Sequence, residues 1–260
     1  MILDLGCGTV KVSNAIGVDK FPIKGVDILA ELDKYPYPFA NDTFDEIYLN
    51  DVIEHLPNTI LTMEEIYRIC RPNARVFIRV VNWNSHYTAM DPTHVKAFTE
   101  NSFDFFGKNK VRSYYTFARF EVIKVDYQYN KDAEKCLRNR RLMKFLSNYL
   151  CNILEGLNFE LRVDKKPTSN RLTSNKYSNI YDLIRCPNCL KIKGKRSQSK
   201  LRLYKRTWLI CESNKCGYKY PVYRGLPYLF FQEGEKWKKT LISKLPIPPP
   251  ERIDILQTNN

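Results

Sequence analysis

The 260-residue sequence lacks the features of membrane-spanning, secreted and disordered proteins. It contains no apolar run of the ~18 residues that a membrane helix needs. It opens on MILDLGCG, without a basic segment followed by a cleavable apolar leader. Hydrophobic residues make up 43% of the chain and charged residues 27%, which is the composition of an ordinary globular protein. We therefore expect a soluble cytoplasmic protein that makes no membrane contact.

Acidic residues are scarce in the second half of the chain. Residues 1–106 contain 9 Lys and Arg against 15 Asp and Glu, whereas residues 107–180 contain 16 against 7 and residues 181–260 contain 17 against 6. The first part is therefore acidic, although the net charge of the whole chain is +14. This asymmetry predicts a polyanion or an acidic partner for the second half. A solvated basic face without a partner is the alternative.

Short apolar runs alternate with helical patterns over the first 165 residues, which is typical of an α/β fold with a parallel sheet. A helix with apolar residues at helical spacing is predicted over Leu61–Cys70, a shorter one over Asn101–Phe106, and a long amphipathic one over Arg138–Leu157. The predicted strands are Ile2–Leu5, Ile16–Val18, Val26–Leu32, Phe44–Leu49, Arg75–Val81, Phe120–Tyr129 and Phe159–Val163.

A glycine turn, Gly6-Cys7-Gly8, follows the first strand, and polar side chains follow the next ones. Ligands of open α/β sheets bind beyond the carboxyl ends of the strands, so these residues predict a ligand crevice. A bare Gly-x-Gly is also compatible with a turn that binds nothing. Only eleven positions separate Gly8 from Asp19, which leaves room for at most one turn of helix. A phosphate ligand would therefore lack the helix N-terminus that it normally uses.

Several segments in order resemble the successive motifs of Rossmann-like S-adenosylmethionine-dependent methyltransferases. They are LDLGCG, GVD, LDKYPYPFANDTFDEIYLNDVIEHL and EEIYRICRPNARVFIRV, followed by a DPTH…FT segment at Asp91–Thr99 that a small group of these enzymes shares. The resemblance covers about residues 1–165 and implies S-adenosylmethionine as cofactor. It places Asp4, Gly6 and Gly8 at the methionine part, Asp19 at the ribose hydroxyls, Asp33 at the adenine amine, and Asn50, Asp51 and His55 near the reactive methyl.

The acceptor chemistry is indicated by what stands at the end of the fourth strand. The Asn/Asp-Pro-Pro-aromatic segment that binds target amines in amino-methylating relatives is replaced by Asn50-Asp51-Val52-Ile53, which favours an oxygen or carbon acceptor. We expect His94, with Asp91 and His55, to be catalytic, because an unperturbed histidine pKa of ~6.5 suits a base near neutrality. The alternative is that His94 only braces its loop against Phe98.

Four of the eight cysteines form two close pairs, Cys186 with Cys189 and Cys211 with Cys216. Their C-x₂-C and C-x₄-C spacings predict a structural zinc site with four thiolate ligands, rather than free or redox-active thiols. Around them, CPNC…CGYKYPVYRGLPYL at about residues 180–232 resembles the zinc ribbon of the activator protein that partners tRNA, rRNA and translation-factor methyltransferases. The resemblance implies a module that stabilises the catalytic domain in cis, helps to present substrate and contacts a protein partner.

The segment between the two cysteine pairs, KIKGKRSQSKLRLYKRTWL, interleaves basic residues with Tyr204 and Trp208. Basic residues attract phosphates and aromatic faces stack on unpaired bases, so Lys191–Trp208 and Arg138–Arg141 together predict a track for RNA. The alternative is a solvated hairpin whose aromatic residues pack on the ribbon.

These observations predict an α/β protein with a Rossmann-like methyltransferase domain at residues 1–165 and a Cys₄ zinc ribbon at residues 181–234. A linker is predicted at residues 166–180 and an extended, poorly ordered tail at residues 235–260. We expect methyl transfer from S-adenosylmethionine to RNA. A small-molecule or glycan acceptor, or a non-catalytic scaffold that binds RNA or a partner, remain the alternatives.

Overall fold

The computed structural model describes residues 1–107, 114–165, 180–191, 199–213, 215–223 and 225–250. The chain divides into two compact units. The first comprises Met1–Phe44 together with Pro167–Asn260, and the second comprises Asp45–Lys166. Among the described residues, no helix is long and apolar enough to cross a membrane.

Seven strands form a mixed sheet, and their number and order confirm the predicted α/β fold of the Rossmann-like type. The strands are β1 (Ile2–Leu5), β2 (Ala15–Asp19), β3 (Ile28–Leu29), β4 (Phe44–Asn50), β5 (Cys70–Val81), β6 (Phe120–Tyr129) and β7 (Leu154–Val163). Their order in the sheet is β3-β2-β1-β4-β5-β7-β6. Strand β2 pairs in parallel with β1 and β3, whereas β7 is antiparallel to β5 and β6.

Within its described residues, the second unit contains four α-helices and two 3₁₀ turns. The helices are α1 (Thr59–Ile69), α2 (His86–Met90), α3 (Lys131–Cys136) and α4 (Arg140–Leu146), and the 3₁₀ turns are Ile53–His55 and Ser102–Phe106. Helix α1 begins after Asn58, whose side-chain oxygen accepts a hydrogen bond from the Leu61 amide at 3.0 Å. Its buried face includes Met63, Ile66 and Ile69, which explains the helical spacing in the sequence.

The long amphipathic helix predicted over Arg138–Leu157 is wrong. Helix α4 ends at Leu146, and strand β7 begins at Leu154. The C-terminal part of the segment pairs with β5 and β6 on both sides, and a strand with two partners outweighs a local helical pattern. The apolar side of α4 is also not a buried face, since Leu142 and Phe145 are 43% and 58% exposed.

A second, four-stranded antiparallel sheet lies in the first unit. Its strands are β8 (Leu201–Tyr204), β9 (Trp208–Cys211), β10 (Lys219–Tyr223) and β11 (Leu226–Pro227), in the order β11-β10-β9-β8. Two helices accompany it, α5 (Pro187–Lys191) and α6 (Phe231–Trp237). We call these four strands and two helices the zinc-ribbon-like module. It packs on β3, where Tyr228 forms a β-bridge with Leu29 and the Leu229 amide donates to the Leu29 carbonyl at 3.0 Å.

An apolar cluster fills the space between β3 and the module. Its buried members are Cys7, Val26, Leu29 and Tyr228. A second link joins the Arg185 amide to the Pro38 carbonyl at 2.9 Å. Residues from the two ends of the chain therefore share one core.

The predicted linker and tail are described only in part. Most of the linker, residues 166–179, and the last ten residues lie outside the described part of the chain. Between them, the segment predicted as an extended tail from residue 235 contains the end of α6 and a 3₁₀ turn at Ile242–Lys244. Leu245 is buried against Trp208, and the Trp208 indole N–H donates to the Pro246 carbonyl at 2.8 Å.

Candidate functional site

The glycine loop, residues 6–14, connects β1 to β2 and contains no helix, as its short length predicts. Gly6 and Gly8 adopt φ values of 69° and 53°, in the left-handed region that favours glycine. The Gly8 amide donates to Asp19 Oδ2 at 3.1 Å, and the Phe21 amide donates to Asp19 Oδ1 at 3.0 Å. The carboxylate at the end of β2 therefore fixes the glycine loop next to it.

Asp4, on β1, also holds the glycine loop. Its side chain is 1% exposed, and its Oδ2 accepts a hydrogen bond from the Val12 amide at 2.8 Å. The buried Oδ1 atom has no hydrogen-bond partner among the described residues. Burial raises the pKa of Asp4, although the Val12 amide opposes the shift. Asp4 thus has one buried acceptor oxygen left for a ligand donor.

A third carboxylate, Asp27, was missed by the sequence reasoning. Its Oδ2 accepts hydrogen bonds from the Gly17 amide and from Lys11 Nζ, both at 2.7 Å. A Cβ on Gly17 would lie 2.7 Å from the Gly25 carbonyl oxygen and 2.8 Å from Cys7 Sγ, so this position accepts only glycine without a shift of the loop. The only signal for Asp27 in the sequence was its position, as an acid at the start of the strand predicted after the glycine loop and β2.

The glycine loop fits the predicted cofactor. A Cβ added to Gly8 would meet no atom within 4 Å, so one side of the loop is open space. Each Asp19 oxygen accepts one backbone N–H and retains a lone pair for a ribose hydroxyl. Asp33, predicted to bind adenine, is exposed and forms an ion pair with Lys34 at 3.3 Å. Asp4, Gly6, Gly8 and Asp19 are the predicted cofactor residues that the structure brings together in this unit.

In the second unit, Asn50 ends β4 and Asp51 follows it with φ 55°. The Asp51 carboxylate accepts a hydrogen bond from Arg79 Nε at 2.9 Å, and the Asp51 amide donates to the Arg79 carbonyl at 3.0 Å. The hydrogen bond to Asp51 raises the pKa of the Arg79 guanidinium. Asp51 is therefore held in place by β5.

The three residues predicted to be catalytic come together in the structure. One ligand atom each of His55, Asp91 and His94 lies within 4.8 Å of the other two, and we name these residues the histidine cluster. The imidazole centroids of His55 and His94 are 4.7 Å apart, and His94 Nε2 is 3.9 Å from Asp91 Oδ2. The imidazole of His94 therefore packs against the imidazole of His55.

Thr93 links two members of the histidine cluster. Its hydroxyl donates to Asp91 Oδ1 at 2.7 Å and lies 2.8 Å from His55 Nδ1. The Thr93 hydroxyl, together with its amide, lowers the pKa of Asp91 below its ordinary value. Asp91 is therefore a carboxylate at neutral pH.

Glu54 is a buried acid that sequence reasoning did not single out. Its side chain is 1% exposed, and neither carboxyl oxygen has a hydrogen-bond partner in the described part of the chain. Burial, followed by the proximity of Asp51, raises its pKa. The Glu54 carbonyl accepts the amides of Val95 and Lys96, so this residue also anchors the loop that carries His94. Its position directly before His55 was the only sequence signal.

The four paired cysteines form one buried cluster in the first unit. Cys186 Sγ lies 3.6 Å from Cys216 Sγ, and Cys189 Sγ lies 3.5 Å from Cys211 Sγ. Four thiolates around a zinc ion at ~2.3 Å would be ~3.8 Å apart, so the donor set fits this metal. Hydrogen bonding with Cys186 and Cys216, together with burial, raises the pKa of the Cys211 thiol. Of the other four cysteines, Cys7 and Cys70 are buried, whereas Cys136 and Cys151 are exposed.

One part of the predicted RNA track is wrong. Trp208 is fully buried and packs edge-on against Trp237 at 5.0 Å, so its face is not free to stack on a base. Tyr204 packs partly buried against the same group. Much of the remaining basic segment, residues 192–198, lies outside the described residues. The aromatic residues of this hairpin pack on the module, which is the alternative that the sequence left open.

Comparison with known proteins identifies the family. The model of the methyltransferase domain family matches residues 1–163, and this span contains β1 to β7 and both groups of predicted site residues. The chain belongs to the methyltransferase domain family. No curated protein matches the sequence of this methyltransferase significantly.

Solved structures with a similar arrangement are distant. The methyltransferase is 14% identical to YcgJ of Bacillus subtilis, with 64% of this chain and 92% of that chain covered and a TM-score of 0.41. A SAM-dependent methyltransferase of Archaeoglobus fulgidus is 16% identical, with 62% and 85% covered and a TM-score of 0.41. A complex containing the Trm112 methyltransferase activator of Haloferax volcanii gives 14% identity, 63% and 82% coverage and a TM-score of 0.42.

Proposed function

We propose that this methyltransferase acts in the cytoplasm and transfers the methyl group of S-adenosylmethionine to an oxygen or carbon atom of RNA. The observation that carries the cofactor assignment is Asp19, which holds the Gly8 amide while keeping lone pairs for two ribose hydroxyls. The open side of Gly8 lets a ligand approach the backbone closely. The cofactor supplies an activated methyl group, and the glycine loop orients it.

We assign the activation of the acceptor to the histidine cluster. His94 Nδ1 lies 3.1 Å from the Thr88 carbonyl and must donate to it, which leaves a lone pair on Nε2 to accept a proton from an acceptor hydroxyl. Asp91, 3.9 Å from that Nε2, stabilises the positive charge that His94 gains. The Thr93 hydroxyl donates to Asp91 Oδ1 and also contacts His55 Nδ1, so Thr93 holds Asp91 in place.

The exposed surface of α4 supports RNA as the acceptor. Arg138, Arg140 and Arg141 are exposed at its N-terminal end, and Phe145 and Tyr149 are 58% and 72% exposed nearby. Basic side chains attract the phosphate backbone and free aromatic rings stack on unpaired bases. These two rings supply the stacking faces that Trp208 does not.

We assign one Zn²⁺ to the four thiolates of Cys186, Cys189, Cys211 and Cys216. The ribbon that it holds together is proposed to stabilise the methyltransferase domain of the same chain. Tyr228 of this module shares a buried cluster with Cys7 of the glycine loop, so the module supports the cofactor site directly. Its remaining surface is the proposed place for a protein partner.

Charge reversal on α4 is expected to weaken RNA binding. The double substitution Arg140→Glu and Arg141→Glu should lower affinity for a single-stranded RNA at least ~10-fold and reduce the salt slope, because two phosphate contacts are lost. The measurement is fluorescence anisotropy at several salt concentrations. Lys239→Glu together with Lys244→Glu, two charge reversals at other exposed sites, is the matched control. Equal loss in both variants would show nonspecific attraction only and would argue against an RNA acceptor at α4.

Removing the His94 imidazole is expected to lower turnover while leaving cofactor affinity unchanged. His94→Ala should reduce kcat ~100-fold or more at saturating S-adenosylmethionine, since a general base contributes 10²-fold to 10⁴-fold. Labelled methyl transfer to a pool of unmodified RNA supplies the assay. Turnover equal to that of the unsubstituted enzyme would exclude His94 as the base. Transfer to small hydroxylated molecules but not to RNA would replace the proposed acceptor.

A further inference from the structure

The histidine cluster has the composition of a metal site. Two imidazoles and one carboxylate are brought together, with one nitrogen or oxygen of each within 4.8 Å of the others. Ligand atoms that share a metal at ~2.1 Å lie ~3 to 3.5 Å apart, and His94 Nε2 and Asp91 Oδ2, at 3.9 Å, are only slightly farther apart than this. Two histidines and one acid leave further coordination positions open, as in catalytic metal sites.

The hydrogen bonds of the two histidines prepare both rings for ligation. The Thr93 hydroxyl donates its single hydrogen to Asp91 Oδ1. His55 Nδ1 must therefore be the donor in its contact with the Thr93 oxygen. His94 Nδ1 likewise donates to the Thr88 carbonyl. Each ring therefore carries its lone pair on Nε2. Metal-binding histidines in proteins almost always fix their tautomer in this way, through a hydrogen bond from the second nitrogen.

Two acceptor atoms face each other in the histidine cluster. Asp91 Oδ2 lies 3.9 Å from His94 Nε2, and because His94 Nδ1 donates to the Thr88 carbonyl, the Nε2 atom carries a lone pair. A cation bound to both atoms would replace this contact between two acceptors, so the arrangement favours positive charge at this place.

We infer that His55, Asp91 and His94 bind a divalent transition-metal ion, for which nitrogen and oxygen donors of this kind are suited. The binding itself does not depend on methyl transfer. Its use rests on the proposed function: when the ion occupies the lone pair of His94 Nε2, the bound metal would activate the acceptor oxygen by favouring its deprotonated form, and when no ion is bound, His94 would act as the base.

The test is titration of Co²⁺ into untagged protein that already contains one Zn²⁺ in its cysteine site, without cofactor or RNA. We expect one further equivalent to bind, with a visible spectrum that lacks strong thiolate charge-transfer bands. His94→Ala and His94→Gln should each weaken this binding at least ~10-fold. Thr93→Val, which removes only the supporting hydroxyl, should weaken it ~10-fold to 100-fold.

His86→Ala is the matched control, because His86 is the third histidine of the chain and does not belong to the cluster. It should bind Co²⁺ like the unsubstituted protein. No further equivalent in the unsubstituted protein, or equal affinity in the His94 variants, would overturn the inference. Metal binding together with no affinity for S-adenosylmethionine would instead preserve the metal site and contradict the proposed function.

Discussion

Asp19→Ala is expected to abolish measurable binding of S-adenosylmethionine. The substitution removes the acceptor for two ribose hydroxyls and also releases the Gly8 amide that Asp19 Oδ2 holds at 3.1 Å. Two charge-assisted hydrogen bonds are worth about 3 kcal/mol or more, which corresponds to a loss of ~100-fold or greater in affinity. Isothermal titration with S-adenosylmethionine and its demethylated product measures the effect.

Gly8→Ala separates the role of the loop from that of the carboxylate. The φ of 53° disfavours any other residue by ~1 kcal/mol, but the new Cβ meets no atom of the protein. The protein should therefore fold, while the methyl group occupies space on the side of the loop that a cofactor needs. Ser13→Ala, at an exposed position of the same loop, should bind normally. Unchanged affinity in Asp19→Ala with an intact fold would show that the ribose is held elsewhere.

Loss of the metal from the cysteine cluster is expected to have the largest effect on stability. In Cys211→Ser the zinc content should fall by one equivalent per chain, because a buried site with three thiolates holds the metal far more weakly. Structural zinc contributes ~10 kcal/mol or more to folding of small domains, so the module should unfold. Metal analysis and thermal denaturation followed by circular dichroism are the measurements.

The effect should extend to the cofactor. Tyr228 covers Cys7, Val26 and Leu29, and an unfolded module would expose them. We therefore expect Cys211→Ser to lose S-adenosylmethionine affinity as well, although Cys211 is not a proposed cofactor contact. Cys151→Ser, at an exposed cysteine, should retain zinc, stability and binding. An unchanged zinc content and melting temperature in Cys211→Ser would contradict the zinc assignment.

The features that were predictable from the sequence are those encoded by local residue types. The structure contains the predicted buried strands β1, β2 and β4 and brings the four paired cysteines together. Both predictions follow from the residue types of a short segment, without knowledge of its tertiary partners. The proximity of the glycine loop to Asp19 also follows from local order, because the loop follows β1, Asp19 ends β2, and the two strands are adjacent and parallel.

What the sequence could not show depends on tertiary partners. The helical pattern over Arg138–Leu157 is a real periodicity, but its second half forms β7 because β5 and β6 are available on either side. Trp208 has the composition of a stacking residue, and only the position of Trp237 and Pro246 shows that it is buried. Glu54 and Asp27 stand out because of their burial and their hydrogen-bond partners. The hydrophobic periodicity of a sequence does not reveal such tertiary contacts.

The packing of Tyr228 and Leu229 on β3 sets an order of events for folding. Tyr228 and Leu229 cover the outer edge of β3 from about 200 residues further along the chain. Contacts of such long sequence range form slowly, and an uncovered strand edge is open to wrong pairing until they do. The edge of β3 is therefore the part of this unit most exposed to misassembly, and substitutions that slow the docking of Tyr228 would act on folding before they act on the finished protein.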